Sequence, residues 1–221
     1  MPPFPPGDTI DWPIPRLSIR VDDLAHEGAV TFFNVVDPLA ALKEAVTASF
    51  TWLYSTETHP TNVECINLVL RPMAGVAYTH GSHTHKEINI SLDHILRSAA
   101  RAREEIMGVL VHEVVHCFQY NGKGTAPGGL IEGVADFVRL NAGYAPPHWK
   151  RNPTTDGKWD AGYQATGYFL DWMEQRYGTG TVREINEAML DRQYDSRIFK
   201  EVTGRRVEKL WKIYGEEMGG A

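Results

Sequence analysis

The stretch His112-Glu113-Val114-Val115-His116, followed by Glu132 and Asp136, constrains this chain more than any other. Histidines four residues apart project from one face of a helix, so both imidazoles can reach a single ion. Glu113 lies beside the pair. Its carboxylate can take a proton from a zinc-activated water, whose pKa falls from 15.7 toward roughly 7. A chain built this way must keep a helix here and bring a further ligand to its face.

With nine histidines in the chain, composition alone can produce such a pentapeptide, so the surroundings carry the argument. Ile106, Val109 and Leu110 recur at helical spacing before the motif, and Asn121-Gly122 is a strong helix terminator after it. Pro127 then opens a second helix on which Glu132 and Asp136 share a face. A catalytic zinc usually has three protein ligands and one open position, so His112, His116 and Glu132 make a His2Glu set. Asp136, one turn later, is placed to accept the other ring N–H of a ligand histidine and fix its tautomer. The alternative is an amphipathic helix with ordinary solvated carboxylates. The apolar neighbours Leu130, Ile131, Val134 and Phe137 argue against it.

At these residues the chain resembles known families. The LIEGVA block from Leu130 to Ala135 is similar to gluzincin metallopeptidases, whose third ligand is a Glu on the next helix. VLVHEVVHCFQYNG (109–122), APGGLIEGVADFVRL (126–140), AGYAP (142–146) and His148-Trp149 look like the plant basic secretory proteins and their fungal and bacterial relatives. The likeness runs from about Ser18 to Tyr214. That family is classed as zinc peptidases, so the resemblance implies a peptidase-like site. It also implies a catalytic tyrosine, because AGYQATGYFLDWM (161–173) looks like the helix that carries one in some gluzincins. Tyr163 is the match and Tyr168 the fallback; such a donor would stabilise the oxyanion formed when water attacks a carbonyl.

Other clusters carry less. His80, His83 and His85 form a rival metal candidate, with His83 and His85 on one side of a strand, but no Cys or carboxylate accompanies them at a standard spacing, and a solvated turn is expected. The strand after them, with Ile88, Asn89 and Ile90 through Ser91, is expected to be an exposed sheet edge that binds an extended substrate by strand addition. Cys117 points about 100 degrees away from His116 and reads as a core thiol; a pairing with Cys65 stays open. No Gly-x-Ser-x-Gly elbow, phosphate loop or dinucleotide fingerprint occurs, which removes support for acyl-enzyme and nucleotide chemistry. The basic run Arg97 to Arg103 is balanced by Glu104 and Glu105.

The formal net charge of −6 provides no electrostatic footprint for nucleic acid or an anionic membrane, so neither is an expected partner. It also departs from the basic character in the family's name. The start, MPPFPPG, lacks the basic residues and apolar core of a signal peptide, and no transmembrane run follows. A cytoplasmic monomer is expected, or a secreted protein if a signal was removed. Residues 1–16 read as an extended Pro-rich arm and 17–221 as a single domain.

Strands are expected at 17–21, 63–70, 75–79 and 87–91. Helices are expected from Asp37-Pro38 to about Leu53, then near 93–120, 128–141, 159–177, 180–192, 195–203 and 205–217. Early strands and a mostly helical C-terminal half predict an α+β, zincin-like fold, a small mixed sheet with an active-site helix across a cleft. Pro146 to Lys158 is a loop placed to overhang it. The expected activity is zinc-dependent cleavage of peptide or amide bonds with Glu113 as general base. A zinc enzyme acting on a non-peptide small molecule and a zinc-stabilised binding protein are the alternatives; cleft size and access to an edge strand discriminate the first.

Overall fold

The computed structural model describes residues 10–151 and 157–219. It is a mixed α/β architecture around a four-stranded sheet of order β1-β2-β4-β3. Arg16–Val21 (β1) pairs in parallel with Cys65–Arg71 (β2), and parallel neighbours need a long crossover. Helices Glu27–Val35 (α1) and Pro38–Leu53 (α2) supply it. The expected cap of α2 is present, with Asp37 accepting the Ala40 N–H at 2.7 Å and Pro38 opening the helix. Helix α1 was not expected. Its N-cap is His26, whose Nδ1 accepts the Gly28 N–H at 3.0 Å, so none of the usual Ser, Thr, Asp or Asn signals announces it.

Ala77–Gly81 (β3) and His85–Ser91 (β4) form a hairpin, and β4 also lies parallel to β2. This corrects the expected edge. Ile88, Asn89 and Ile90 are buried on a strand paired on both sides, and they do not line the cleft. The hairpin folds β3 to the outside, so β3 is the free edge beside the candidate site, and the opposite edge is β1.

Ser91 ends β4 and caps Leu92–Arg97 (α3), accepting the His94 N–H at 3.1 Å. The single helix expected over 93–120 is in fact α3, a 3-10 turn at Ala99–Arg101, and Ala102–Phe118 (α4). Side chains bridge the break: His94 Nε2 lies 3.2 Å from Glu105 Oε1, and Arg101 pairs with the same carboxylate. The chain interrupts the helix without Gly or Pro, for a tertiary contact that periodicity does not reveal.

The helical half follows with Gly128–Asn141 (α5), Tyr163–Tyr177 (α6), Thr181–Glu187 (α7), Arg197–Thr203 (α8) and Val207–Met218 (α9). Helices α5 and α6 touch at glycines. A Cβ at Gly129 would lie 1.8 Å from the Asp160 carbonyl oxygen, and one at Gly133 would lie 2.3 Å from the Thr166 side chain. Thr166 Oγ1 accepts the Gly162 N–H at 2.9 Å and donates to the Trp159 carbonyl at 2.8 Å, which fixes how the chain enters α6. The start of α6 is thereby held against the middle of α5.

The core runs from α2 through α4 to α5 and α6. Phe50 packs on Phe118 at 4.7 Å between centroids, and Phe137 packs on Trp52 at 5.6 Å. Trp12, from the segment read as an arm, is buried against Phe50. Cys65 and Cys117 are buried and free. Among the described residues no helix is long and apolar enough to cross a membrane.

Candidate metal centre

From Ile106 to Phe118, α4 is buried on most of its circumference, as a helix crossing the middle of a fold must be. His112 and His116 leave it on one face, and Glu132 reaches them from α5. Their ligand atoms all lie within 4.8 Å of one another, and among the described residues this is the one group that could hold a metal ion. His112 Nε2 is 3.2 Å from His116 Nε2 and 3.1 Å from Glu132 Oε2, and His116 Nε2 is 3.7 Å from the same oxygen. Ligands at the corners of a tetrahedron with zinc bonds of about 2.0–2.1 Å stand roughly 3.3 Å apart. Spacing and donor chemistry therefore both fit zinc.

Each imidazole is oriented through its other nitrogen. Asp136 is buried, with Oδ1 2.7 Å from His112 Nδ1. His116 Nδ1 contacts Gln119 Oε1, and Gln119 in turn donates to the Ile131 carbonyl at 3.0 Å. Burial pulls the His112 pKa down, but its bonds to Asp136 and Glu132 outweigh that and raise it to about 9. Those with His112 and then His116 hold the Glu132 carboxyl well below its ordinary value, against the effect of burial.

Glu113, adjacent to His112, is buried and points to the sheet edge. Thr79 on β3 places its Oγ1 2.7 Å from Glu113 Oε2 and 3.0 Å from the Glu113 carbonyl oxygen. Tyr163 opens α6 at φ +47, a left-handed conformation that costs a non-glycine residue roughly 1–2 kcal/mol. Its ring lies nearly parallel to that of His112, at 10° and 6.3 Å between centroids. The carboxylate of Glu132 raises the Tyr163 pKa above its ordinary value, so the phenol keeps its proton. Tyr168 faces elsewhere, against Trp149 and Arg151.

These groups line a cleft of about 1020 Å³. His112, Glu113, His116, Glu132, Asp136 and Tyr163 all border it, as do Ala77, Tyr78 and Thr79 of β3. Of the expected overhanging loop, Pro146, His148 and Trp149 form part of the wall, and 152–156 lie outside the described residues. The histidines near the hairpin turn stay apart from the cleft: His80 is 3.3 Å from Glu87, and His85 contacts Thr84 at 2.9 Å.

Sequence reasoning missed Gln119 and Thr79. Gln119 departs from the helix at φ −59, ψ 148, which turns its side chain back onto His116; a polar residue three positions after the second histidine was the available signal. Nothing local marks Thr79, because its role depends on strand order.

Elsewhere on the cleft wall, Glu105 receives His94, Arg101 and Arg139. The hydrogen bond from His94, then the charges of Arg139 and Arg101, hold its pKa at about 2 against the effect of burial. A carboxyl depressed from 4.5 contributes stability above that value and loses it as the pH falls toward 2. Glu105→Gln should therefore lower stability at pH 7 by about 2 kcal/mol and flatten the acid limb of the unfolding free energy. Chemical denaturation across pH 2–7 checks this, and equal slopes for parent and variant would contradict it.

The family model BSP, described as Peptidase of plants and bacteria, matches residues 14–214. No curated protein and no solved structure matches the chain.

Proposed function

The chain belongs to the BSP family, Peptidase of plants and bacteria, and from that premise we propose that it is a zinc-dependent peptidase of zincin-like fold with Glu113 as general base. The observation that carries the reading is one juxtaposition. A buried carboxylate on α4 sits between the His112, His116 and Glu132 donors and the free edge of β3, inside one cleft.

Zinc held by His112, His116 and Glu132 would supply Lewis acidity, acidifying a water and polarising the scissile carbonyl. Glu113 takes the proton of the attacking water and returns it to the leaving amine. Asp136 and Gln119 hold the two imidazoles in register, each through Nδ1. Tyr163, protonated and exposed at the cleft, donates to the oxyanion. Strand β3 offers its unpaired backbone groups to an extended peptide. The cleft volume, at the upper limit of small-molecule pockets, favours such a chain over a compact metabolite.

The test is metal content of the purified protein together with cleavage of an unbiased peptide library by the parent and by Glu113→Gln. One zinc per chain with cleavage by the parent alone supports the reading; zinc with no cleavage by either removes it. Thr79 supplies a finer check. Thr79→Val should leave zinc content intact and lower kcat by about tenfold or more, because the base loses the hydroxyl that aims it, while Thr79→Ser restores the rate. A Thr79→Val enzyme with parental kcat would show that Glu113 needs no such support.

A further inference from the structure

Arg139 lies on the wall of the same cleft, one helical turn beyond Asp136, and the proposed reaction leaves it without a task. It is buried, and its Nε donates to the Tyr144 carbonyl at 3.1 Å. Among the described residues that is the guanidinium's one hydrogen bond: Nη2 is enclosed and unpaired, 3.5 Å from Glu105 Oε1, which leaves Nη1 as the group toward the cleft. The niche is built for a guanidinium. Gly108 stands inside α4 where any Cβ would come within 2.6–2.9 Å of Nε, Nη2 and Cζ, although glycine weakens a helix interior. Trp149 lies over the group at 5.2 Å. Two guanidinia and the His94 imidazole share the single Glu105 carboxylate, and nearby Asp136 is committed to His112. Arg101 and Arg139 outweigh the Glu105 carboxylate they share even with His94 neutral, and Asp136 offsets part of that excess.

Three elements set its distance from the metal donors. Glu105 precedes His112 on α4, and Arg139 follows Glu132 on α5, by seven residues each, or roughly 10 Å along a helix. Val76, the residue just before β3, borders this end of the cleft. Its carbonyl accepts from Ser91, the residue that caps His94, and it lies three residues, roughly 10 Å, from Thr79. That span equals about three residues of extended chain. Antiparallel pairing, slightly more stable per residue than parallel, would send the C-terminal side of a peptide on β3 toward Val76 and Arg139.

We propose that Arg139 and its neighbours form a carboxylate-binding subsite, which takes a free C-terminal carboxylate or an acidic side chain two or three residues beyond the scissile bond. The inference rests on the peptidase reading for its position and names the substrate class. A planar guanidinium with an unused N–H is suited to a carboxylate, and binding one in a dry niche distinguishes it from the amide that lacks its charge.

The experiment takes the zinc-loaded protein and a peptide cleaved in the library, prepared with a free C-terminus three residues after the bond, with an amidated C-terminus, and amidated with Glu or Gln at that third position. Amidation is expected to lower kcat/KM by at least about tenfold, chiefly through KM. Rescue by Glu but not Gln would identify an acidic side chain as an accepted source of the carboxylate; no rescue by either would restrict the site to the chain terminus. Arg139→Gln should erase the ratio between free and amidated forms. Should that variant not fold, Arg139→Lys, which keeps the charge but loses the fork, should narrow it. Equal cleavage of all forms by the parent overturns the subsite and leaves the peptidase standing. With no cleavage of any peptide, calorimetric binding of the free and amidated forms decides: tighter binding of the free form keeps the subsite without the peptidase, and equal binding or none overturns it.

Discussion

Glu113→Gln should retain one zinc per chain and lose turnover by about 10²–10⁴-fold. The amide matches the carboxylate in size and its carbonyl oxygen can still accept from the Thr79 hydroxyl 2.7 Å away, so the local geometry has no reason to collapse. Glu113 stands outside the three-donor group, so zinc has no reason to leave. What disappears is the capacity to take a proton from water and carry it to the leaving nitrogen. Elemental analysis of the purified variant beside steady-state kinetics on a peptide that the parent cleaves makes the comparison. A variant that holds zinc and works at the parental rate would remove Glu113 from the role of base.

The loss from Glu132→Ala should be of a different kind. Removing an outer partner of a metal ligand typically weakens metal affinity about 10–100-fold, and Glu132 is a donor in its own right, so zinc binding should weaken by more than about 100-fold. Activity would then vanish at limiting zinc and return in part at excess, which separates a failure of loading from a failure of chemistry. Competition with a chelator of known affinity measures it. If Glu132→Ala binds zinc as the parent does, the third donor is another group and the arrangement around α5 has been misread.

The two sides of the site differed in how far the residues alone revealed them. His112, His116, Glu132 and Asp136 were legible because their relation is helical: positions four residues apart share a face whatever surrounds them. Tyr163 came through likeness to other chains, and its left-handed backbone would not have been guessed for a bulky residue. The sheet edge was misplaced because alternation says which faces of a strand are covered, not which strand lies outermost. Thr79 was lost with it. The break after α3 and the His26 cap of α1 escaped for a related reason, since both depend on side chains that find partners outside the usual signals.

The contact of α5 with α6 and the segment leading into it, at Gly133 and Gly129, has a consequence for how remote relatives should be sought. One main-chain carbonyl and one threonine side chain occupy the space where side-chain carbons would otherwise stand, and the donor Glu132 and the tyrosine at the head of α6 ride on that contact together. Substituting a larger residue on one helix must push the other outward, away from the histidine pair. Divergent sequences that keep the tyrosine should therefore keep small residues at both α5 positions, and those that fill either position should have lost or moved the tyrosine. An alignment weighted on that pairing would separate distant members of the group from chance occurrences of the histidine pentapeptide.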